Sequence, residues 1–444
     1  MIKILQVRNV DNFVESRRQK TSEKDRKTVQ AILNDVRKNG DSAVKKYERK
    51  FNGRKTSRLR VSVPDFKEER YEQSLGNMGT ILRRMEDALL WNLSGSKKRS
   101  AGFTSVKTRF FGNIPLETEK RFVPIPSVGC YIPGGQARYP SSVVMSVVPA
   151  KLAGVKRIVV VSPPGRDGKI DPLTIEAARM CGVTEIYKVG GAQAIGALAY
   201  GTKSIPKVDK IVGPGGKFVS IAKSLVNDQV AIDMVAGPTE LGIIADASSD
   251  PELVALDLIS QAEHSKDTKC FVITQSKTVA KQIQKSLEKL ISTTERRSII
   301  KESISKNGFI AVCKNQNEMI ELANKIAPEH LELMVKNSDI PDSPIQRSLS
   351  EKITGAGLLL TGKNTPSAAS DYLLGTNHIL PTNGFGRTRG GLSVLDFQKI
   401  QTVIESPLDA IDMISELLRE ITDAADLPNH YKAVKRRLVK EGLE

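Results

Sequence analysis

The sequence predicts an α/β protein of two doubly wound, incomplete Rossmann-like parallel-sheet modules, with small and mostly helical N- and C-terminal extensions. Three observations predict this class. Short β-branched runs alternate with helical segments, these segments have the length of a parallel crossover, and glycine turns follow several strands. A chain of 444 residues is also long enough for two or more domains.

The region before the first module is predicted to be largely helical. Val29, Ile32, Leu33 and Val36 are apolar among charged neighbours, which indicates one amphipathic helix over residues 23–50. The charged stretch from there to Lys120 is expected to continue as helix.

The first module combines short strands with glycine turns. Its predicted strands are Val128–Ile132, Ile158–Val161, Ile186–Val189 and Lys210–Val212. Its glycine turns are Gly134-Gly135, Gly190-Gly191 and Gly213 to Gly216. Glycine after a parallel strand lets a phosphate approach backbone N–H groups at the next helix N-terminus. The turns therefore indicate a nucleotide site, although none is a GxGxxG motif and such turns occur in many α/β proteins.

The second module repeats the alternation of strand and helix. Its predicted strands are Leu241–Ala245, Cys270–Thr274, Phe309–Val312 and Leu358–Leu360, with helices over 251–263, 276–292 and 316–326. After residue 393 the pattern predicts a mostly helical tail.

Composition narrows the class of function. The formal charge of +17 would suit nucleic-acid binding, but lysines are scattered and aromatic residues are only 5%, without the aromatic-basic interleaving of a base-stacking surface. No run of eighteen apolar residues predicts a membrane span. The four cysteines are far apart, and the N-terminal segment lacks a signal-peptide pattern, so we expect a cytoplasmic protein.

The four histidines are the first candidates for chemistry, because imidazole binds zinc and moves protons near neutral pH. They are His264, His330, His378 and His430. Each could instead be an ordinary surface or core histidine, so the prediction of a site depends on the polar residues beside them.

The neighbours of three histidines suggest one site. Gln261 and His264 are three apart on a predicted helix, so their side chains share a face and can close on one metal ion. Asp371 precedes His378 across a glycine-containing turn, which would leave both near one cleft. Glu329 next to His330 could serve as an acid-base pair in an oxidation followed by hydration. Spacing alone leaves open that this pair lies in a surface loop.

These residues lie within longer strings that resemble the histidinol dehydrogenases. The strings are YIPGGQARYPSSVVMSVVPAKLAGVKRIVV from Tyr131, VGGAQAIGALAYGT from Val189, IDMVAGPTE from Ile232, DLISQAEH ending at His264, APEHLELMV from Ala327 and DYLLGTNHILPT from Asp371. The resemblance runs almost from end to end and is densest between Val128 and Phe397. It implies a zinc-dependent enzyme that oxidises L-histidinol through L-histidinal to L-histidine with two NAD, in histidine biosynthesis.

The resemblance also implies roles for individual residues. The family's zinc ligands match Gln261, His264, Asp371 and His430, the last reaching across from the partner subunit of an intertwined homodimer. The acid-base pair matches Glu329 and His330. The family's substrate contacts match Thr239 and His378. They also match the four zinc ligands and the two acid-base residues just named. Dinucleotide contacts match Tyr131, Gln193 and Gly216.

Three positions depart from the family pattern. Gly216 stands where the family usually has an asparagine that contacts NAD, and Thr239 replaces a serine that faces substrate. A glutamate commonly found five residues before His430 is Ala425 here, with Asp426 beside it. Ala425 keeps open an alternative, a dehydrogenase of the same family for another small polar alcohol such as a sulfonated diol. A basic nucleic-acid-binding protein is an alternative from another functional class, but it would require every matched string to be a coincidence.

We divide the chain accordingly. Residues 1–26 are predicted to be an N-terminal extension and 131–240 a dinucleotide-binding domain. Residues 27–130 together with 241–392 are predicted to form the catalytic and metal-binding domain, and 393–444 a dimerisation tail.

Overall fold

The computed structural model describes residues 1–17, 22–53, 58–61, 78–94, 105–108, 116–134, 138–165, 167–336 and 349–440. Parts of the predicted N-terminal extension, catalytic domain and tail, and Gly135 of the first glycine turn, lie outside these ranges. The chain forms two compact units. The first comprises Met1–Ala101 and Pro126–Asp396, and the second comprises Gly102–Ile125 and Phe397–Glu444.

The strands of the described residues are numbered in chain order. They are β1 Lys3–Gln6, β2 Ser105–Thr108, β3 Glu117–Pro124, β4 Ser127–Tyr131, β5 Arg157–Ser162, β6 Glu185–Lys188, β7 Lys210–Val212, β8 Ala231–Ile232, β9 Glu240–Ala245, β10 Lys269–Thr274, β11 Phe309–Val312, β12 His330–Met334, β13 Leu358–Thr361 and β14 Gln398–Glu405.

The helices of the described residues are numbered in the same way. They are α1 Val10–Glu15, α2 Glu23–Asn39, α3 Asp41–Asn52, α4 Met78–Ser94, α5 Pro140–Leu152, α6 Pro172–Met180, α7 Gly191–Tyr200, α8 Lys217–Val226, α9 Pro251–Ala262, α10 Lys277–Ile291, α11 Arg297–Asn307, α12 Gln316–Ile326, α13 Ser367–Ser370, α14 Leu408–Ala424 and α15 Pro428–Lys440, with 3₁₀ turns at Phe385–Arg387 and Val394–Phe397.

The first unit contains two parallel sheets. One has the strand order β6-β5-β4-β7-β8 and the other the order β1-β11-β10-β9-β12-β13 among the described residues. Apolar side chains fill both faces of the larger sheet, with Leu241 and Val272 in one cluster and Ile244 and Ile273 in the other. The predicted pair of doubly wound modules is therefore confirmed, because alternate side chains of each strand meet helices on opposite faces.

The smaller sheet is covered by the helices that precede it in sequence. Leu33 and Val36 of α2 and Val44 of α3 belong to the same buried cluster as Val159 and Val161 of β5. The prediction of one helix over 23–50 is wrong at its centre. Gly40 separates α2 from α3 with a φ of 52°, and this glycine conformation ends the first helix.

The second unit is built on an antiparallel sheet of order β14-β3-β2 among the described residues, with α14 and α15 after it. Two predictions are compared with the described elements here. In the stretch before Lys120 the described residues include helix α4 but also β2 and part of β3, so the prediction of a continuing helix is wrong at those strands. The prediction of a mostly helical tail is confirmed by α14 and α15, although β14 precedes them. β3 is half-buried except at exposed Lys120 and Arg121 and shows no alternation of burial, so periodicity alone did not separate it from an exposed helix.

Two further findings concern the cysteines and the question of a membrane-spanning helix. The four cysteines are free and buried, in agreement with the predicted absence of a disulfide framework. No helix among the described residues has the length and apolar character needed to cross a membrane.

Candidate active site

Glu329 and His330 lie at the start of β12, which is next to the edge strand β13 in the larger sheet. His330 pairs with Leu241 of β9 on one side and with Leu358 of β13 on the other. Glu329 is 6% exposed and His330 is 2% exposed, which excludes the surface-loop interpretation. The sequence showed no strand here, because a proline and two charged residues precede or interrupt the short apolar run. The dyad is thus held by a strand that is paired in parallel on both sides.

Glu329 is bound through one carboxylate oxygen. Its Oε2 accepts hydrogen bonds from the Thr239 hydroxyl at 2.5 Å and from the Glu240 backbone N–H at 2.8 Å. Burial raises the pKa of Glu329 to about 7, against the lowering effects of His330 and of these two donors. A carboxylate with such a pKa can gain and lose a proton near neutral pH.

His330 lies between two carboxylates. Its Nδ1 is 3.8 Å from Glu329 Oε2 and 3.3 Å from the Glu240 carbonyl oxygen, and its Nε2 is 3.4 Å from Asp371 Oδ1. Burial disfavours the charged ring, but Asp371 and Glu329 outweigh it and raise the pKa of His330 to about 9. Nε2 is buried and makes no aligned hydrogen bond within the described residues. It is therefore a buried nitrogen available to a ligand.

Asp371 and His378 come together as the glycine-containing turn predicted. His378 Nδ1 is 2.8 Å from the Asp371 carbonyl oxygen, and its Nε2 is 3.2 Å from the Ser142 hydroxyl. Burial alone would raise the pKa of Asp371, but His330, His378 and His264 together lower it. These three histidines therefore surround one carboxylate.

Gln261 lies in the last turn of α9 and His264 just beyond its end, so the prediction that one helix carries both was wrong by two residues. The amide Nε2 of Gln261 donates to the Thr239 hydroxyl at 2.7 Å, and its Oε1 accepts from the Ser367 hydroxyl at 3.2 Å. The His264 ring is turned with Nδ1 3.1 Å from the Gln261 carbonyl oxygen. This leaves the other ring nitrogen for a ligand.

Gln261, His264 and Asp371 have the donor chemistry of a zinc site. Imidazole nitrogen and carboxylate oxygen are ordinary zinc donors, and the oxygen of Gln261 can add an amide ligand. In the part of the chain that the structure describes, no three His, Cys, Asp or Glu side chains form a metal-binding group by themselves. The amide and a further ligand are therefore needed to complete such a site.

The Gly190-Gly191 turn does not offer its N–H groups to a phosphate. The Gly190 N–H donates to Glu48 Oε1 at 2.9 Å, and the Gly191 N–H donates to the Tyr131 hydroxyl at 3.1 Å. Gln193 is 1% exposed and also donates to Glu48 Oε1, at 2.8 Å. The expectation of free phosphate-binding groups at this turn is therefore wrong, because an internal carboxylate occupies the helix N-terminus.

The turn after β7 is held by a buried ion pair. Lys223 Nζ contacts Asp233 Oδ1 and donates to the Gly213 carbonyl oxygen at 2.9 Å, while Asp233 Oδ2 accepts from the Gly213 N–H at 2.8 Å. Gly213 has a φ of 110°, and a β-carbon there would lie 2.2 Å from the Tyr131 carbonyl oxygen. At Gly216, three residues on, a β-carbon would have nothing within 4 Å. Open space therefore remains at the start of α8.

Within the first unit, the residues described above lie at the N-terminal ends of strands in the larger sheet and at the C-terminal ends of strands in the smaller sheet. Glu329, His330 and Thr239 lie where strands of the larger sheet begin, whereas Tyr131 and the Gly213 turn lie where strands of the smaller sheet end. Asn377 joins the two modules by donating to the Met145 carbonyl oxygen of α5 at 2.8 Å. The rule that α/β sites lie at strand carboxyl ends fits only the smaller sheet.

His430 lies on α15 of the second unit, where it is exposed.

Comparison with known proteins identifies the family of the chain. The family model described as histidinol dehydrogenase matches residues 15–438. The chain belongs to the histidinol dehydrogenase family. A histidinol dehydrogenase of Bacillus licheniformis is 38% identical over 94% of both chains. One of Methanocaldococcus jannaschii is 40% identical over 93% of this chain and 92% of its own.

A solved structure supports the same assignment. The crystal structure of histidinol dehydrogenase from Elizabethkingia anophelis superposes with a TM-score of 0.88 at 31% identity, over 99% of this chain and 98% of that one. The predicted fold class and family are therefore confirmed. As a member of the histidinol dehydrogenase family, the chain is an NAD-dependent, zinc-binding oxidoreductase of amino-acid biosynthesis.

Sequence reasoning missed several residues that support the site. Glu48, Ser367, Glu332 and Asp233 are buried polar residues bonded to the residues or turns just described. Glu332 follows the dyad by two positions on β12 and accepts the Ser367 N–H at 2.7 Å. A carboxylate within a short apolar run is unusual, because burying a charge is costly, and this could have drawn attention to Glu332.

Proposed function

We propose that this histidinol dehydrogenase family member oxidises L-histidinol through L-histidinal to L-histidine at the Glu329-His330 dyad. The observation that carries the proposal is the burial of both groups beside Asp371, Thr239 and Gln261. A carboxyl group and an imidazole that both titrate away from their ordinary ranges, in one buried cluster, are typical of acid-base catalysis.

His330 is proposed to take the proton of the substrate hydroxyl. Its Nε2 is buried, and the Asp371 and Glu329 carboxylates beside the ring would stabilise the proton that it takes up. When bound, NAD would supply the acceptor for the hydride that leaves the carbinol carbon. Glu329 is proposed to remove a proton from water as water adds to the aldehyde. A second NAD would then supply the acceptor for the hydride that leaves the hydrate. The carboxylate suits this step because burial raises its pKa to about 7.

Gln261, His264 and Asp371 are proposed to hold zinc with His430 of the partner subunit. When bound, zinc would supply a fixed positive centre for the imidazole and amino nitrogens of the substrate, a positioning role. Thr239 and His378 would contact the substrate from either side of this group. His378 is fixed by its contacts with Ser142 and with the Asp371 carbonyl oxygen.

NAD is proposed to lie along the carboxyl edge of the smaller sheet. Tyr131 and Gln193 meet at the Gly190-Gly191 turn, and Gly216 has open space around its α-carbon. Because Glu48 accepts the Gly190 N–H and the Tyr131 hydroxyl accepts the Gly191 N–H, a donor group of the dinucleotide suits this turn better than a phosphate. The missing asparagine side chain at Gly216 is expected to weaken NAD binding at that point.

A homodimer is part of the proposal. Met413, Leu417 and Ile421 recur every four residues on α14 and are 53%, 68% and 63% exposed, which forms an apolar helix face without cover in the single chain. Exposed His430 follows on α15. A second copy would cover such a face and could supply the fourth zinc ligand.

The test is NADH formation by purified protein with L-histidinol, before and after removal of metal with a chelator. Two NADH per substrate consumed, with activity lost on chelation and restored by zinc, is the expected result. One NADH per substrate would contradict the second oxidation. Turnover of a sulfonated diol but not of L-histidinol would favour the alternative substrate that Ala425 leaves open.

A further inference from the structure

A chain of hydrogen bonds joins a proposed zinc ligand to a proposed catalytic residue. Gln261 Nε2 donates to Thr239 Oγ1 at 2.7 Å, and Thr239 Oγ1 donates to Glu329 Oε2 at 2.5 Å. On its other side, Gln261 Oε1 accepts from the Ser367 hydroxyl at 3.2 Å. Glu329, Gln261 and Ser367 are 6%, 1% and 0% exposed, and Thr239 between them is half-buried.

The Glu240 backbone N–H sets the direction of the chain. A backbone N–H can only donate, and it donates to the same Oε2 that Thr239 contacts, at 2.8 Å. Oε2 is therefore the oxygen that accepts, whether or not the other oxygen carries a proton. The Thr239 hydroxyl must donate to it, and a hydroxyl has one hydrogen to donate.

The direction of this bond decides how the Gln261 amide is turned. With its hydrogen committed to Glu329, Thr239 Oγ1 can only accept, so the amide must present its NH₂ group to Thr239 and its oxygen to the opposite side. Ser367 does not make this choice, because a hydroxyl can either donate to an amide oxygen or accept from an amide nitrogen. Only the amide oxygen can bind a metal ion, since the amide nitrogen has no available lone pair.

We propose that Thr239 is a positioning residue that turns the Gln261 amide so that its oxygen is the atom offered to zinc. This inference rests on the proposed zinc ligands and adds a role beyond the substrate contact proposed for Thr239. The threonine methyl contributes as well, because a β-branched side chain has few allowed χ1 rotamers. This restriction helps to keep the hydroxyl within hydrogen-bonding distance of both Gln261 and Glu329.

Thr239→Val keeps the shape of the side chain and removes the hydroxyl. The Gln261 amide then loses the contact that distinguishes its two ends, and zinc affinity is expected to fall about tenfold, the lower end of the usual range for residues that support metal ligands. Thr239→Ser restores the hydroxyl and should bind zinc within about threefold of the wild type. Thr239→Ala removes the same hydroxyl and replaces the valine variant if that one does not fold.

The decisive comparison repeats Thr239→Val in a Gln261→Glu background. A carboxylate offers two oxygens, so it has no wrong end to present and needs no help in orientation. The valine substitution is then expected to change zinc affinity by less than about threefold, instead of about tenfold. Thr274→Val is the matched control. It removes a buried hydroxyl on β10 that accepts the Ser276 N–H, away from the proposed ligands, and it should leave zinc affinity unchanged.

Zinc affinity is measured on the full chain by competition with a colorimetric chelator, and folding is checked by thermal unfolding. The inference is overturned if folded Thr239→Val binds zinc within twofold of the wild type. It is also overturned if the valine substitution costs as much affinity in the Gln261→Glu background as in the wild type, because the effect would then not run through the amide. Failure of the proposed function looks different: the wild-type chain would bind no zinc or would not oxidise L-histidinol.

Discussion

The buried pair Lys223 and Asp233 gives the most direct stability prediction. Their side chains are 2% and 0% exposed, and both bind the backbone of Gly213. Asp233→Asn removes the negative charge, so the buried ammonium keeps only neutral oxygen acceptors. Breaking a buried pair in this way is expected to cost about 3–5 kcal/mol of unfolding free energy.

Lys223→Met should cost less, although it breaks the same pair. Asp233 would keep two backbone donors, the Gly213 N–H at 2.8 Å and the Met234 N–H at 2.5 Å, so the remaining charge would still be hydrogen-bonded. We expect a loss of about 1–3 kcal/mol. The double variant leaves no unpaired charge and should be more stable than Asp233→Asn alone, which shows coupling between the two sites.

Urea unfolding followed by circular dichroism measures these differences. Glu302→Gln is the control, because Glu302 pairs with Lys266 at an exposed position where an ion pair contributes little to stability. A loss below about 1 kcal/mol for Asp233→Asn, or a double variant whose loss equals the sum of both single losses, would refute the reasoning.

Three other predictions concern catalysis, assembly and the cofactor turn. Glu329→Gln should slow the oxidation of L-histidinal more than that of L-histidinol in single-turnover assays, because only hydration needs the carboxylate; equal losses would contradict its role. His430→Ala should lower zinc content, and mixed dimers with Glu329→Gln chains should regain activity, whereas no recovery would mean that one chain makes the whole site. Glu48→Ala leaves the Gly190 N–H and the Gln193 amide without their acceptor and should lower unfolding free energy by about 1–3 kcal/mol. It should also weaken NAD binding in calorimetric titration, and unchanged affinity would count against a cofactor site at this turn.

The regular elements of the two modules were largely predictable. The strands near Leu241, Cys270 and Phe309 were placed correctly, because short β-branched runs between helices of crossover length have few other solutions. Errors arose where local signals conflict. The helix over residues 23–50 contains a glycine whose left-handed conformation is invisible in an apolar pattern, and β12 contains Glu332 where a buried strand is usually apolar.

The sequence alone determined the family and the identities of the reactive groups, because the side chains capable of acid-base and metal chemistry lie in long specific strings. Only the tertiary structure decided how those groups are oriented and charged. Thr239 and Glu329 are 90 positions apart, and Glu48 and Gly190 are 142 apart, yet each pair shares a hydrogen bond. Burial and partners of this kind shift pKa values and turn amides, and they depend on contacts between distant segments that no local pattern specifies.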